Sequence, residues 1–218
     1  VAVGDLDLER TVAVEVVIAS TQGRLYVFSA AGVLRTGFPV TTTPAFSDPA
    51  IRDEANRLDP GFFASPALAD LDNDGALEII IGAMDRHLYV WRADGTPQAG
   101  FPILMVDRTV TTVSLATGKV TWNLVGGRPV GSRGTKIVAS PAVGDIDGDG
   151  FLEIVQGTNE EYVRGESGNV ELSPFANLFG LSAINGRVYA IAHDGTSSPR
   201  VAGNPAGPFL PGWPVKIG

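Results

Sequence analysis

The chain contains no cysteine, which removes disulfides, thiolate nucleophiles and thiolate metal ligands together. Histidine is nearly as scarce, with two in 218 residues, so imidazole-based zinc sites and catalytic triads have little to draw on. Basic residues are outnumbered 16 to 24 by acidic ones, for a formal net charge of -8. With no basic run, the chain is poorly suited to a nucleic acid backbone or an anionic membrane surface. No stretch approaches the roughly 20 apolar residues of a membrane span. Neither a signal peptide nor an initiating Met opens the chain, and the expectation is a segment cut from something longer.

What is abundant is glycine, 27 residues, and proline, 15, set in small clusters along the whole length. That is the punctuation of many short strands joined by tight turns, and the fold class it predicts is all-β.

The chain repeats itself. "SPALADLDNDGALEIIIGAMDRHLYVWRADGTPQAGFPI" from Ser65 returns as "SPAVGDIDGDGFLEIVQGT" from Ser140, resumed by "GRVYAIAHDGT" from Gly186 and "PGWPVKIG" from Pro211. A diverged copy, "VAVGDLDLERTVAVEVVIASTQGRLYVFSAAGVLRTGFPV", opens the chain. Each copy carries a short apolar run ending in Asp-x-Asp, a β-branched run, an alternating run such as "HLYVW" with a glycine turn, and Gly-aromatic-Pro at Phe38, Phe101 or Trp213. Four strand-like parts per copy predict blades of a β-propeller, about three four-stranded blades spanning 1–64, 65–139 and 140–218. A propeller ring closes with about four to eight blades. Three would leave two raw edges, so the expectation is part of a larger propeller, completed by further residues or by another chain.

Three insertions interrupt the repeats. Residues 41–64 predict a short surface helix within "SDPAIRDEANRLDP", where Ser47 or Asp48 can cap, Pro49 suits the first helical position and Ile51, Ala55 and Leu58 fall on one face. Residues 104–139 predict a hairpin about "ATGK" that extends the second blade. Residues 159–185 have no periodicity and read as a loop suited to recognising a partner.

The acidic loops carry the chemistry. In "DIDGDGFLE", Asp145, Asp147 and Asp149 stand at positions one, three and five, Phe151 at seven offers its backbone carbonyl, and Glu153 stands at nine. Asp70, Asp72, Asp74, Ala76 and Glu78 repeat the arrangement. Crowded carboxylates repel one another unless a hard cation joins them, and this many oxygen ligands suits calcium better than magnesium. An EF-hand would need an acidic residue at position twelve and a following helix; Ile81 and Gln156 stand there, inside strand-forming runs. The first copy is the weaker candidate. Asp5 and Asp7 are in place, but Glu9 replaces the third Asp, Arg10 replaces the glycine and two extra residues precede Glu15. A cation such as Arg10 would compete with metal there.

Other motifs carry less. His87 takes the place of Arg24 and Arg187 in the other copies and reads as an exposed strand position; His193 sits at a repeat turn. "GESGN" from Gly165 lacks the spacing of a serine nucleophile elbow. "GGRPVGSRGTK" has Ser132 where a phosphate-binding loop needs lysine. Tyr26, Tyr89 and Tyr189, recurring with the Gly-aromatic-Pro residues, read as packing between blades rather than a sugar-stacking array.

The loops "DLDNDGALEIIIG" and "DIDGDGFLEIVQG", with the flanking "SPA" and the later Gly-aromatic-Pro, resemble FG-GAP repeats, also called VCBS-type repeats. These are the blades of integrin α-subunit propellers and of many secreted bacterial proteins. The resemblance covers the chain outside the insertions. It implies that each nine-residue loop joins the first two strands of a blade and holds calcium, with two sites expected and the first copy in question. It implies an extracellular or cell-surface module acting in adhesion, assembly or binding of a protein or glycan ligand. The expectation is therefore a non-catalytic chain. The rival readings are the propeller of a secreted polysaccharide lyase and an accessory domain of a secreted hydrolase.

Overall fold

A computed structural model describes residues 1–7, 14–47, 59–108, 111–113, 120–122, 124–125, 128–129, 136–159, 186–196 and 208–217. Among these the regular structure is almost entirely strand; one 3₁₀ turn, Pro44–Phe46, is the exception. The helix expected in the first insertion, with Pro49, Ile51, Ala55 and Leu58, lies outside the described residues.

Each repeat folds into a four-stranded antiparallel sheet with its strands in chain order. Sheet 1 contains β1 (Ala2–Gly4), β2 (Glu15–Ala19), β3 (Arg24–Phe28) and β4 (Val40–Thr41). Sheet 2 contains β5 (Ala67–Ala69), β6 (Glu78–Gly82), β7 (His87–Trp91) and β8 (Ile103–Leu104). The second insertion forms its own pairs, β9 (Thr111–Val113) with β10 (Val120–Trp122), and β11 (Leu124–Val125) with β12 (Arg128–Pro129). The pairing about "ATGK" is therefore present, but it forms a separate ribbon and, among the described residues, adds no strand to sheet 2. Sheet 3 contains β13 (Ala142–Gly144), β14 (Glu153–Thr158), β15 (Gly186–Ile191) and β16 (Val215–Ile217).

The side-chain period of two decides how the sheets stack. On sheet 2, Ile79, Ile81, Tyr89 and Trp91 join a core with Val17, Leu25, Val27 and Phe38 of the first repeat. The alternate residues, Ile80, Leu88, Val90 and Ile103, join a second core with Ile154, Tyr189, Ile191 and Phe209 of the third. Sheet 2 is thus buried on both faces, which is why "EIIIG" is a continuous apolar run and not an alternating one. Sheets 1 and 3 each press one face onto it.

The Gly-aromatic-Pro motifs lock neighbouring repeats together. Gly37 and Gly100 adopt φ of +91° and +87°, open to glycine and strained for other residues. A Cβ on Gly37 would fall 2.0 Å from the carbonyl oxygen of Asp94, and one on Gly100 would fall 2.1 Å from that of Asp194. Each such glycine therefore seats against the Asp-Gly turn of the following repeat. Phe38 is buried in the first core, while Phe101 and Trp213 pack against the second.

Candidate metal centres

Strand register builds the acidic loops. The glutamate at position nine begins the second strand of each sheet, opposite the last residue of the first strand: Gly4 faces Glu15, Ala69 faces Glu78 and Gly144 faces Glu153. The loop between must then fold back over the glutamate, whose carboxylate accepts a hydrogen bond from the amide at position two. That bond recurs in all three repeats, from Leu6 to Glu15 at 3.0 Å, Leu71 to Glu78 at 2.8 Å and Ile146 to Glu153 at 2.9 Å. The two extra residues of the first copy leave this register unchanged.

The first aspartate nucleates the turn. Asp70 accepts from the amides of Asp74 and Gly75, and Asp145 from those of Gly148, Asp149 and Gly150. Positions four and six are left-handed in both loops: Asn73 and Gly75, then Gly148 and Gly150. Adjacent loops touch, since the amide of Leu77 donates to the carbonyl of Leu6 at 2.8 Å and the Asn73 side chain to that of Gly150 at 3.2 Å.

The result is three acidic triads: Asp5, Asp7 and Glu15; Asp70, Asp72 and Glu78; Asp145, Asp147 and Glu153. In each, one carboxylate oxygen per residue lies within 4.8 Å of the others, around a buried glutamate. Such a triad can hold a metal ion, and its all-oxygen donor set favours a hard one. The first aspartate, the second aspartate and the glutamate that opens the second strand meet in every copy. Position five is turned along the loop: Asp74 accepts from the amide of Ala76 at 2.8 Å, and Asp149 from that of Phe151 at 2.9 Å. Ala76 packs against the first core, and the Phe151 ring stacks on His193 with centroids 4.2 Å apart. Glu9 and Arg10 lie outside the described residues.

Two observations fit a cation to these loops. Asp5 Oδ1 and Asp72 Oδ1 are shielded from solvent yet have no hydrogen-bond partner, an unfavourable state for a carboxylate oxygen that a metal would relieve. The Glu78 carboxyl is also pushed up to about 7, chiefly by burial and then by Asp72, Asp74 and Asp70. Glu153 is shifted the same way, again by burial first and then by Asp147 and Asp149.

Two arginines were not foreseen from the sequence. Arg35 pairs with Asp7 and lies 3.5 Å from Glu15. Arg92 pairs with Asp72 at 2.9 Å and lies 4.0 Å from Asp74. They stand on opposite limbs of the hairpin after the third strand, a departure between copies that hints at them once that hairpin is known to overhang the loop. The corresponding limbs of the third repeat carry Ala192 and Leu210.

His87 corrects the sequence reading. It is buried, not exposed, and stacks on Phe46 with ring centroids 3.9 Å apart. Beside it the buried Asp85 accepts from the Tyr89 hydroxyl at 2.6 Å and from the His87 amide at 3.0 Å, while Tyr89 accepts from the amide of Thr43 at 3.0 Å. This satisfied network ties the linker after β4 to sheet 2. "GESGN" lies outside the described residues.

No protein-family model matches the chain, and no curated protein matches it.

Proposed function

We propose that this chain is a calcium-stabilised β-propeller module of the FG-GAP type, acting outside the cell in binding or assembly without catalysis. The observation that carries the reading is the threefold recurrence of one register, one glutamate–amide bond and one carboxylate triad at the same edge of each sheet. A solvated acidic turn has no need of a buried glutamate or of orphaned aspartate oxygens. Calcium is the ion that an all-carboxylate loop suits best. Loops of this kind in extracellular modules fill at calcium concentrations of about 0.1–1 mM, which supports an extracellular setting. The ion acts structurally: it cancels the repulsion of the triad and fastens the first two strands of a sheet.

The test is thermal unfolding with calcium, with magnesium and with chelator, alongside metal analysis of the purified protein. At calcium about 100-fold above its Kd, each filled site adds about 2.7 kcal/mol, a rise in Tm on the order of 5–10 °C for a chain of this size. A midpoint indifferent to calcium, with no bound metal, would overturn the proposal.

A further inference from the structure

The two arginines at the acidic loops are not used alike. Arg35 pairs with Asp7 and lies 3.5 Å from Glu15, so one guanidinium spans two of the three carboxylates of the first triad. Arg92 reaches one member of the second triad, Asp72 at 2.9 Å; its other carboxylate, Asp74 at 4.0 Å, stands outside the triad. The Arg92 Nε donates at 2.7 Å to Oε1 of Gln98, the residue that stands where the first repeat has Arg35. The second arginine is thus held from behind by its own hairpin, while the first is committed to the loop.

Burial and backbone support follow the same division. The Arg35 side chain is 23% exposed against 42% for Arg92, so water and salt screen the first pair less. The limb that carries Arg35 is fixed. Its amide donates to the Val27 carbonyl at 2.8 Å, its carbonyl accepts from the Phe38 amide at 3.2 Å, and Gly37, two residues on, seats against the Asp94 turn. A planar guanidinium delivered from a fixed limb loses little freedom on pairing. Both carboxylates that it meets belong to the first repeat.

We propose that Arg35 is the resident cation of the first loop, standing in for a metal ion, so that this loop closes without calcium while the second depends on it. The inference deepens the calcium reading above and rests on it for the role of the triads. Three crowded carboxylates need a positive charge among them, and here the chain supplies it. Asp5 keeps one shielded oxygen without a hydrogen bond, which is the oxygen left for an ion once the guanidinium is removed. The arrangement also serves the neighbouring loop. Leu6 gives its amide to Glu15, and its carbonyl accepts from the Leu77 amide of the second loop. A first loop held by arginine presents that carbonyl before any metal arrives.

The experiment counts the calcium ions bound by the 218-residue chain in titration calorimetry, for the parent and for Arg35→Gln. Arg35→Gln is expected to bind one ion more than the parent and to melt about 2–6 °C lower in chelator. Hydrogen exchange on the parent needs no variant. On adding calcium the Leu6 amide should slow less than about twofold, and the Leu71 amide, its counterpart on Glu78, about tenfold or more. An Arg35→Gln chain that gains no ion, or that melts in chelator as the parent does, would overturn the proposal. So would a Leu6 amide that calcium slows as strongly as Leu71. The calcium reading is judged separately, by the parent's own count: a parent that binds no calcium removes that reading, while the ion gained by Arg35→Gln still decides this one.

Discussion

The guanidinium of Arg92 lies 2.9 Å from the carboxylate of Asp72 and 4.0 Å from that of Asp74, so the hairpin of the second repeat delivers a cation to its own acidic loop. A metal ion entering that loop meets a positive charge already in place. Arg92→Gln is expected to tighten calcium binding at the second loop about 3- to 10-fold, roughly 1 kcal/mol. It should cost metal-free stability less than about 1 kcal/mol, because the pair is partly exposed. Titration calorimetry in an Asp147→Asn background, which silences the third loop, measures this; unchanged or weaker binding would count against competition between arginine and metal.

The raised Glu78 carboxyl sets a pH dependence. In the metal-free fold it holds its proton up to about 7, against an ordinary value of 4.5 in the unfolded chain. Between those values the folded state binds the extra proton, so stability falls as pH rises through the window. Glu153, shifted upward by burial as well, contributes with the same sign. Melts in chelator from pH 4.5 to 7.5 should show this decline, Glu78→Gln should flatten it, and calcium, which binds the ionised form, should remove it. A metal-free stability that stays level through the window, as in the variant, would refute the assignment.

Gly37 and Gly100 should not tolerate a side chain. Alanine at either place must adopt a left-handed backbone and push against a carbonyl oxygen of the next repeat. A loss of about 2–4 kcal/mol is expected for Gly37→Ala or Gly100→Ala, combining backbone strain with a forced opening of the interface. Chemical denaturation measures it. A loss below about 1 kcal/mol would mean that the repeats are not locked at these glycines.

Asp85 is the hub of the buried network after β6. Asp85→Ala leaves the Tyr89 hydroxyl and the His87 amide without their acceptor, and a destabilisation of about 3 kcal/mol follows from two orphaned buried donors. Calcium affinity at the loops should stay within twofold of the parent, because the network sits across the strands from them. Equal losses of stability and of calcium affinity would tie the two ends together in a way the contacts do not support.

Much of the site could be read from the sequence because its determinants are local. A nine-residue spacing, a left-handed glycine at position six and a β-branched run after the glutamate bring positions one, three and nine together once the flanking strands pair. Asp5, Asp7 and Glu15 gather as well, although the first copy has neither that spacing nor the glycine, because Glu15 still pairs opposite Gly4. Arg35 and Arg92 were less legible. They reach Asp7 and Asp72 from hairpins 28 and 20 residues further along the chain, and nothing in their immediate neighbours marks that approach.

By itself the sequence determined the repeats, the four strands in each and the acidic loop between the first two, since all of these follow from periodicity and turn residues along one stretch of chain. Only the tertiary structure decided which face of each sheet is buried, that His87 lies inside and which loops receive an arginine. Those outcomes depend on which sheets stack and in what order, and stacking sums weak apolar contacts between residues tens of positions apart that no local pattern encodes.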